Sequence, residues 1–214
     1  MDVWLDATVV LLALTNLGLL ASSRLNLCIR LVAVQGMVFG LAALLVHPAS
    51  ISIHLALVAL LSATVKGIVF PRLLLRTVRD VNIRREVEPF VGYSLSLVIG
   101  MCLLGPSVWF GARLPLPLTE TGRLVASLGL FTTMVGLFLI VSRRKAITQV
   151  LGYLAMENGI FAFGITLVDR IPVLVELGVL MDVFVAVFVM SLATFHISRE
   201  FDHIDVDQLN ALKG

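Results

Sequence analysis

Long uncharged stretches alternate along the chain with short polar connections. The apolar stretches fall at about residues 4–21, 29–46, 52–70, 90–111, 123–141, 147–168 and 172–195, between charges, prolines and turn residues. A helix of about 20 apolar residues is long enough to cross a hydrocarbon core of about 30 Å. The pattern therefore predicts an all-α, polytopic membrane helix bundle of about seven transmembrane helices, spans 1 to 7 in chain order.

Basic residues are distributed unevenly between the two sets of connections. One set, together with the C-terminal tail, holds Arg24, Arg30, Arg72, Arg76, Arg79, Arg84, Arg85, Arg143, Arg144, Lys145, Arg199 and Lys213, and the other holds Arg113, Arg123 and Arg170. Basic residues near the ends of spans stay on the cytoplasmic side. We therefore predict that the N-terminus lies outside and the C-terminus in the cytoplasm. Span 1 follows Asp2 and Asp6 instead of a basic stretch, so we expect it to remain as a span and not to be a cleaved signal peptide.

This topology divides the chain into three regions. Residues 1–111 are predicted to form a four-helix membrane region with a basic cytoplasmic loop at 71–89. Residues 112–198 form a three-helix region, and residues 199–214 form a short cytoplasmic tail. The basic loop is suited to anionic lipid or a peripheral subunit, although orienting the chain is its simplest role.

The composition excludes several classes of protein. With 59% hydrophobic and 14% charged residues, the chain is too apolar for a water-soluble domain. The basic residues lie between the spans, which argues against a nucleic-acid partner. Cys28 and Cys102 lie in or beside different spans, without a CxxC motif or a nearby histidine pair, so no zinc or iron-sulfur ligand set can be written. We expect no cofactor-binding, metal-binding or catalytic residues in this chain.

Four ionisable residues stand out within the apolar spans: Lys66, Glu157, Glu176 and Asp182. An ionisable group at the centre of a bilayer costs about 2.5–3.5 kcal/mol on insertion scales, so it usually faces a partner or water. Glu157 and Asp182 fall near mid-depth of spans 6 and 7, where a desolvated carboxylate can load and release a proton. Both are candidates for a proton path, with structural hydrogen bonding between helices as the alternative.

The possible roles of four residues follow from their positions along the spans. Gln149 and Tyr153 precede Glu157 at intervals of four residues, so they share its helix face and join the proton-path candidates. Glu176 lies four residues after Pro172, where it belongs either to the path or to the outer interface. Lys66 either extends its side chain to the cytoplasmic surface or faces a carboxylate within the bundle or in a partner subunit.

Pairs of glycines mark expected helix contacts in two spans. Gly36 and Gly40 form a GxxxG motif in span 2, and Gly152 and Gly159 lie seven residues apart in span 6. Small residues at such spacing let membrane helices approach closely. We predict that both pairs serve packing.

Spans 6 and 7 carry motifs that identify a family. The motifs are the residues 152–159 (GYLAMENG), 175–178 (VELG) with Asp182, and 204–206 (IDV) before the closing 211–214 (ALKG). They resemble the component E subunit of hydrogenase-4, a membrane part of group 4 nickel-iron hydrogenases and formate hydrogenlyases. Lys66 after Thr64-Val65, followed by Pro71, also resembles that family's third span.

The last three spans resemble the K subunit of complex I, whose membrane glutamates form part of a proton axis. That family has a glutamate two residues after the glycine of its Gly-Leu-Glu stretch. This chain has Leu154 there and Glu157 three residues later, about one helical turn along the same face. Asp182 likewise stands where that family has a glutamate in its last span.

The resemblance implies a non-catalytic subunit of a membrane-bound nickel-iron hydrogenase complex in the cytoplasmic (inner) membrane of a prokaryote. It implies antiporter-like membrane subunits and peripheral hydrogenase and iron-sulfur subunits as partners. The nickel-iron centre and the iron-sulfur clusters would belong to those partners. A subunit of a multisubunit cation/proton antiporter, a stand-alone secondary transporter and a purely structural membrane scaffold stay as alternatives.

Overall fold

The computed structural model describes residues 2–46, 60–61, 63–80, 89–114, 120–166, 184 and 187. The described residues form six α-helices and one π-helical segment, which confirms the all-α class. In chain order these are α1 (Asp2–Ala21), α2 (Leu25–Val46), the π segment (Val65–Val69), α3 (Phe70–Asp80), α4 (Tyr93–Arg113), α5 (Glu120–Ser142) and α6 (Ala146–Ile165).

Five of the helices coincide with predicted spans. Helices α1, α2, α4, α5 and α6 correspond to spans 1, 2, 4, 5 and 6. Helices α4 and α5 are long and apolar enough to cross a membrane, and α1 and α2 contain the shorter apolar stretches Ala7–Ala21 and Leu25–Gly40. About half of span 3 and nearly all of span 7 fall outside the described residues. The number of spans and their orientation therefore stay predictions.

Residues 71–80 are helical, although the sequence predicted a loop from residue 71 to residue 89. Pro71 follows the π segment within a helix that continues from residue 63 to residue 80, and because proline has no N–H it makes no backbone hydrogen bond to the preceding turn. Phe70, Leu74 and Val78 are buried on one face of α3, whereas Arg72 and Arg76 are exposed. This spacing of apolar residues makes α3 an amphipathic helix that packs against α2.

Helices α5 and α6 form the closest helix pair in the described bundle, and glycines make this approach possible. A Cβ atom at Gly136 would collide with the backbone nitrogen of Met156, and one at Gly152 would lie 2.9 Å from the carbonyl oxygen of Gly136. Gly129 and Gly159 make the equivalent contact about two turns away along the pair. The predicted packing role of Gly152 and Gly159 is thus confirmed, and their partners are the glycines of α5.

The main apolar core joins five of the helices. It contains Leu19 and Leu20 of α1, Leu25, Cys28, Ile29 and Val32 of α2, Phe70, Leu74 and Val78 of α3, Phe131, Val135 and Leu139 of α5, and Ile147, Val150, Leu151, Leu154 and Ala155 of α6. Helix α4 packs against α1 and α5 from outside this core, and its large side chains Trp109 and Phe110 are exposed. Such an exposed apolar face suits contact with lipid or another membrane subunit.

Arg143 is buried, although the sequence placed it in a cytoplasmic connection. It is only 1% exposed, and its Nη2 donates a hydrogen bond of 2.9 Å to the carbonyl oxygen of Leu20 at the end of α1. Its guanidinium also lies 4.6 Å from the centre of the Tyr93 ring at the start of α4. A cation near the last carbonyls of a helix is favourable. Arg143 therefore ties the ends of α1 and α5 to the start of α4.

The close approach of α5 and α6 predicts the effect of substituting its glycines. In Gly136→Ala the added methyl group meets the α6 backbone, so we expect the free energy of unfolding to fall by about 1–3 kcal/mol, as in an overpacked core. Gly105→Ala is the matched control, because a Cβ there meets nothing within 4 Å and alanine favours the helix. Thermal unfolding of the two purified variants in detergent measures the difference. Equal midpoints would contradict this account of the helix pair.

Candidate functional site

A buried ion pair lies at the contact between α2, α6 and the π segment. The Nζ atom of Lys66 is 3.0 Å from Oε1 of Glu157, and the two side chains are 3% and 2% exposed. The ammonium also lies 4.7 Å from the centre of the Phe161 ring, one turn beyond Glu157 on α6. An ion pair so far from solvent is weakly screened, so each charge depends strongly on the other. Of the two alternatives for Lys66, the structure has the side chain facing a carboxylate within the bundle.

The backbone brings Lys66 to Glu157 through two local features. The first is Gly36, because a Cβ at this position of α2 would lie only 2.6 Å from Cβ of Lys66. One turn later, a Cβ at Gly40 would lie 3.0–3.1 Å from three atoms of Ala63. The GxxxG motif of span 2 is thereby confirmed as a packing face. It lets the segment that carries Lys66 lie directly against α2.

The second feature is the π-helical turn itself. The N–H of Phe70 donates to the carbonyl oxygen of Val65, five residues earlier, which is the π-helical spacing. The extra residue in this turn changes the direction of the side chains beside it, and such turns are frequent at functional sites. Lys66 lies within the turn and points into the bundle.

Asn158, the residue after Glu157 on α6, is a further buried polar side chain next to the ion pair. Its side-chain amide donates a 3.2 Å hydrogen bond to the carbonyl oxygen of Val32 on α2. A cavity of about 10 Å³ adjoins both Asn158 and Lys66, and apolar residues complete its lining: Ile29, Val32, Phe70, Pro71, Leu74 and Leu154. This volume is about that needed to hold one water molecule. Water can therefore stand next to the ammonium group on the side where α2 begins.

Of the other four predicted proton-path residues, two lie on α6 with contacts of their own and two lie outside the described residues. Tyr153, one turn before Glu157, is partly buried and packs against the main apolar core. Gln149 donates a 3.0 Å hydrogen bond to the carbonyl oxygen of Arg143, so its amide supports the α5–α6 connection. Asp182 and Glu176 lie outside the described residues. Within the described part of the chain, the structure brings together Lys66 and Glu157.

Sequence reasoning missed a second buried polar group between α1, α2 and α5. It consists of Thr15, Asn16, Gln35 and Thr132, which are at most 4% exposed. Asn16 donates to the hydroxyl oxygen of Thr132 at 2.9 Å, and Gln35 donates to that of Thr15 at 3.1 Å. The available signal was the presence of two amides inside apolar spans, because such side chains need partners in a membrane.

Among the described residues, no group of three or more histidine, cysteine, aspartate and glutamate side chains is arranged to hold a metal ion. Cys28 is buried and Cys102 is exposed, and neither forms a disulfide.

The geometry of the ion pair predicts strong energetic coupling between its members. Lys66→Met or Glu157→Gln alone leaves a buried group without its counter-charge, which we expect to lower the free energy of unfolding by about 3–5 kcal/mol. The double variant Lys66→Met/Glu157→Gln should lose much less than the sum of the two, because no unpaired charge remains. Arg76→Met is the control, since Arg76 is exposed on the nearby helix α3. Additive losses in thermal unfolding would show that the two residues are not coupled.

Comparison with known proteins gives two kinds of match. Residues 124–214 match the family described as NADH-ubiquinone/plastoquinone oxidoreductase chain 4L. The uncharacterized protein Rv0085 of Mycobacterium tuberculosis is 31% identical over 170 residues, which cover 77% of this chain and 73% of the relative. Hydrogenase-4 component E of Escherichia coli K12 and of Shigella flexneri is 40% identical over 102 residues. No solved structure matches.

The match to hydrogenase-4 component E covers a smaller share of both chains than the match to Rv0085 does. The match to hydrogenase-4 component E takes in 48% of this chain and about half, 46%, of that protein. The resemblance to component E and, in the C-terminal part, to a complex I subunit is confirmed by these matches. The chain belongs to the same family as Rv0085, is a homologue of hydrogenase-4 component E and carries a chain 4L segment in its C-terminal part.

Proposed function

We propose that this chain is a non-catalytic membrane subunit of a membrane-bound nickel-iron hydrogenase of the hydrogenase-4 or formate hydrogenlyase type. In this proposal the Lys66–Glu157 pair belongs to a proton path that couples redox chemistry to ion movement. The observation that carries the proposal is the 3.0 Å contact between two buried, oppositely charged groups. Homology to hydrogenase-4 component E supports the choice of complex.

The ion pair is suited to proton exchange because its charges have little solvent to stabilise them. A proton on Lys66 can pass to Glu157, which converts an ammonium and a carboxylate into a neutral amine and a neutral acid. Desolvation disfavours the charged forms, whereas the mutual attraction favours them. These opposing effects make the position of the proton sensitive to any charge that changes nearby. A redox event in a neighbouring subunit can therefore be felt at the pair as an electric field.

The cavity beside Lys66 supplies an approach for protons. A water molecule in it can hydrogen-bond to the ammonium group or accept its proton, while the surrounding apolar residues restrict further hydration. Under the proposed topology, with the N-terminus outside, this cavity lies on the cytoplasmic side of the pair. Tyr153 and Gln149 on α6, and Asp182 and Glu176 further along the chain, are the proposed continuation of the path.

The proposed complex supplies what this chain does not provide. Antiporter-like membrane subunits would carry the main ion channels, and peripheral subunits would hold the nickel-iron centre and the iron-sulfur clusters. The chain itself would lie as a multi-pass protein of about seven spans in the inner membrane of a prokaryote. Residues 124–214 supply the part related to chain 4L, and the preceding residues supply Lys66.

The composition of the native complex tests the first part of the proposal. A tagged copy of the chain, extracted in mild detergent, should copurify with nickel-iron hydrogenase and antiporter-like subunits, and the eluate should show hydrogen-linked redox activity. Mass spectrometry and a hydrogen-dependent dye reduction assay measure this. Copurification of antiporter subunits alone would instead support a role in a multisubunit cation/proton antiporter. Recovery of the chain alone as a homo-oligomer would contradict both assemblies.

Substitution of Glu157 tests the second part. A positioned proton-transfer group contributes about 10²–10⁴-fold to the rate of its step. In Glu157→Gln we therefore expect proton translocation by the assembled complex to fall at least about tenfold. The measurement is proton uptake in inverted membrane vesicles, expressed per hydrogen molecule turned over and corrected for the amount of intact complex.

Glu120→Gln is the control for this experiment, because Glu120 is an exposed carboxylate at the start of α5. It should leave translocation unchanged. A scaffold role for Glu157 predicts that less complex assembles but that each assembled complex translocates normally. Unchanged translocation per turnover in Glu157→Gln would therefore exclude a relay role.

A further inference from the structure

The buried polar group between α1, α2 and α5 is made of neutral side chains only. Asn16, Gln35 and Thr132 are 0% exposed, and Thr15 is 4% exposed. The Asn16 amide donates both to Thr132 and, at 3.0 Å, to the carbonyl oxygen of Leu12. The Gln35 amide donates to Thr15. Two side-chain hydrogen bonds therefore link α1 with α5 and α1 with α2 in the interior of the bundle.

Two strong acceptors in this group have no partner in the part of the chain that the structure describes. The hydroxyls of Thr15 and Thr132 each donate 2.8 Å hydrogen bonds to backbone carbonyls of their own helices. Neither hydroxyl hydrogen is therefore available to the amides. Oδ1 of Asn16 and Oε1 of Gln35 have no hydrogen-bond donor among the described residues. Nearly all buried polar groups in proteins are satisfied by protein or by ordered water.

Exchanging the oxygen and nitrogen positions of an amide does not remove the deficit. A flipped Asn16 or Gln35 would present its oxygen to a hydroxyl that already donates to the backbone. Its NH₂ group would then occupy the position where the oxygen has no partner. In either orientation each amide has hydrogen-bonding capacity that the described side chains leave unused. A ligand that both donates and accepts hydrogen bonds would satisfy it, and water is the smallest such ligand.

This group lies at the same level of the bundle as the ion pair. Gln35 directly precedes Gly36, where an added Cβ would lie 2.6 Å from Cβ of Lys66 and 3.4 Å from Oδ1 of Asn158. Thr132 directly precedes Thr133, whose hydroxyl packs against Gly159, two residues after Glu157. The neutral group and the ion pair therefore lie in one layer, because α2 carries Gln35 of the first and packs against Lys66 of the second.

We propose that Asn16 and Gln35 hold an ordered water molecule between α1, α2 and α5. The site takes water and not a metal cation, because the four side chains of the group are neutral and a bound cation would have no counter-charge among them. The water can donate a hydrogen atom to Oδ1 of Asn16 or to Oε1 of Gln35. The site places a hydrated position beside the ion-pair layer on the side of α1. It does not depend on a proton path through Glu157.

A high-resolution electron cryomicroscopy map of the assembled complex tests this site directly. At about 2.5 Å resolution or better, we expect a density peak about 2.6–3.2 Å from Oδ1 of Asn16 or Oε1 of Gln35. A protein side chain in that place, or close packing without a peak, would overturn the proposal. A peak surrounded by five or six oxygen atoms at about 2.4 Å would identify a cation instead and would also overturn it.

Two variants link the peak to the amides. In Gln35→Met the acceptor is lost at nearly constant side-chain volume, so the peak should disappear or fall to the noise. Ser107→Ala removes a buried hydroxyl of α4 that donates to the carbonyl oxygen of Leu103, outside the group, and should leave the peak unchanged. A peak of unchanged height in Gln35→Met would contradict the site. If Gln35→Met does not assemble, the native map still decides the proposal. Glu157→Gln should keep the peak, so this inference and the proton path can fail separately.

Discussion

The described bundle is organised around the need to keep two opposite charges together away from water. Removing Lys66 and Glu157 from solvent is costly, and their attraction offsets that cost only while the two groups stay in contact. Contact requires the segment that carries Lys66 to lie against α2, which the absence of a side chain at Gly36 permits. It also requires α6 to present Glu157 at that point, and the glycine contacts with α5 hold α6 in place. The small residues of the bundle thus serve the ion pair as well as packing.

The ion pair joins the segment of the chain that matches chain 4L to the part of the chain that precedes this segment. Glu157 belongs to the segment that matches chain 4L, whereas Lys66 comes from the residues before it. The chain 4L segment alone would have a buried carboxylate without this counter-charge. Asn16 and Gln35 also precede the segment, and they place a neutral polar group in the same layer. The N-terminal helices therefore supply most of the polar partners in this layer.

Sequence patterns predicted the elements better than the contacts between them. Uninterrupted apolar stretches located α1, α2, α4, α5 and α6, because a helix that faces lipid or a core must be apolar along its length. The cost of burying charge also marked Lys66 and Glu157 as unusual. Contact of Lys66 with a carboxylate in the bundle was one of two alternatives, and the sequence could not choose between them, because the contact depends on the rotation of α6 and on a π-helical turn with no clear sequence signal. The burial of Arg143 was missed because charge density alone assigned it to a connection, whereas packing of three helix ends encloses it.

A scaffold and a proton path make different demands on the interior. A scaffold needs complementary surfaces, and apolar side chains of similar volume often stabilise a core as well as a buried ion pair does. The α5–α6 contact meets that demand with glycines and aliphatic residues alone. Where Lys66 meets Glu157, the chain instead has two oppositely charged groups in contact, and a cavity with room for water adjoins Lys66. Packing requires neither feature, whereas proton exchange requires both, and this difference favours a path through the pair.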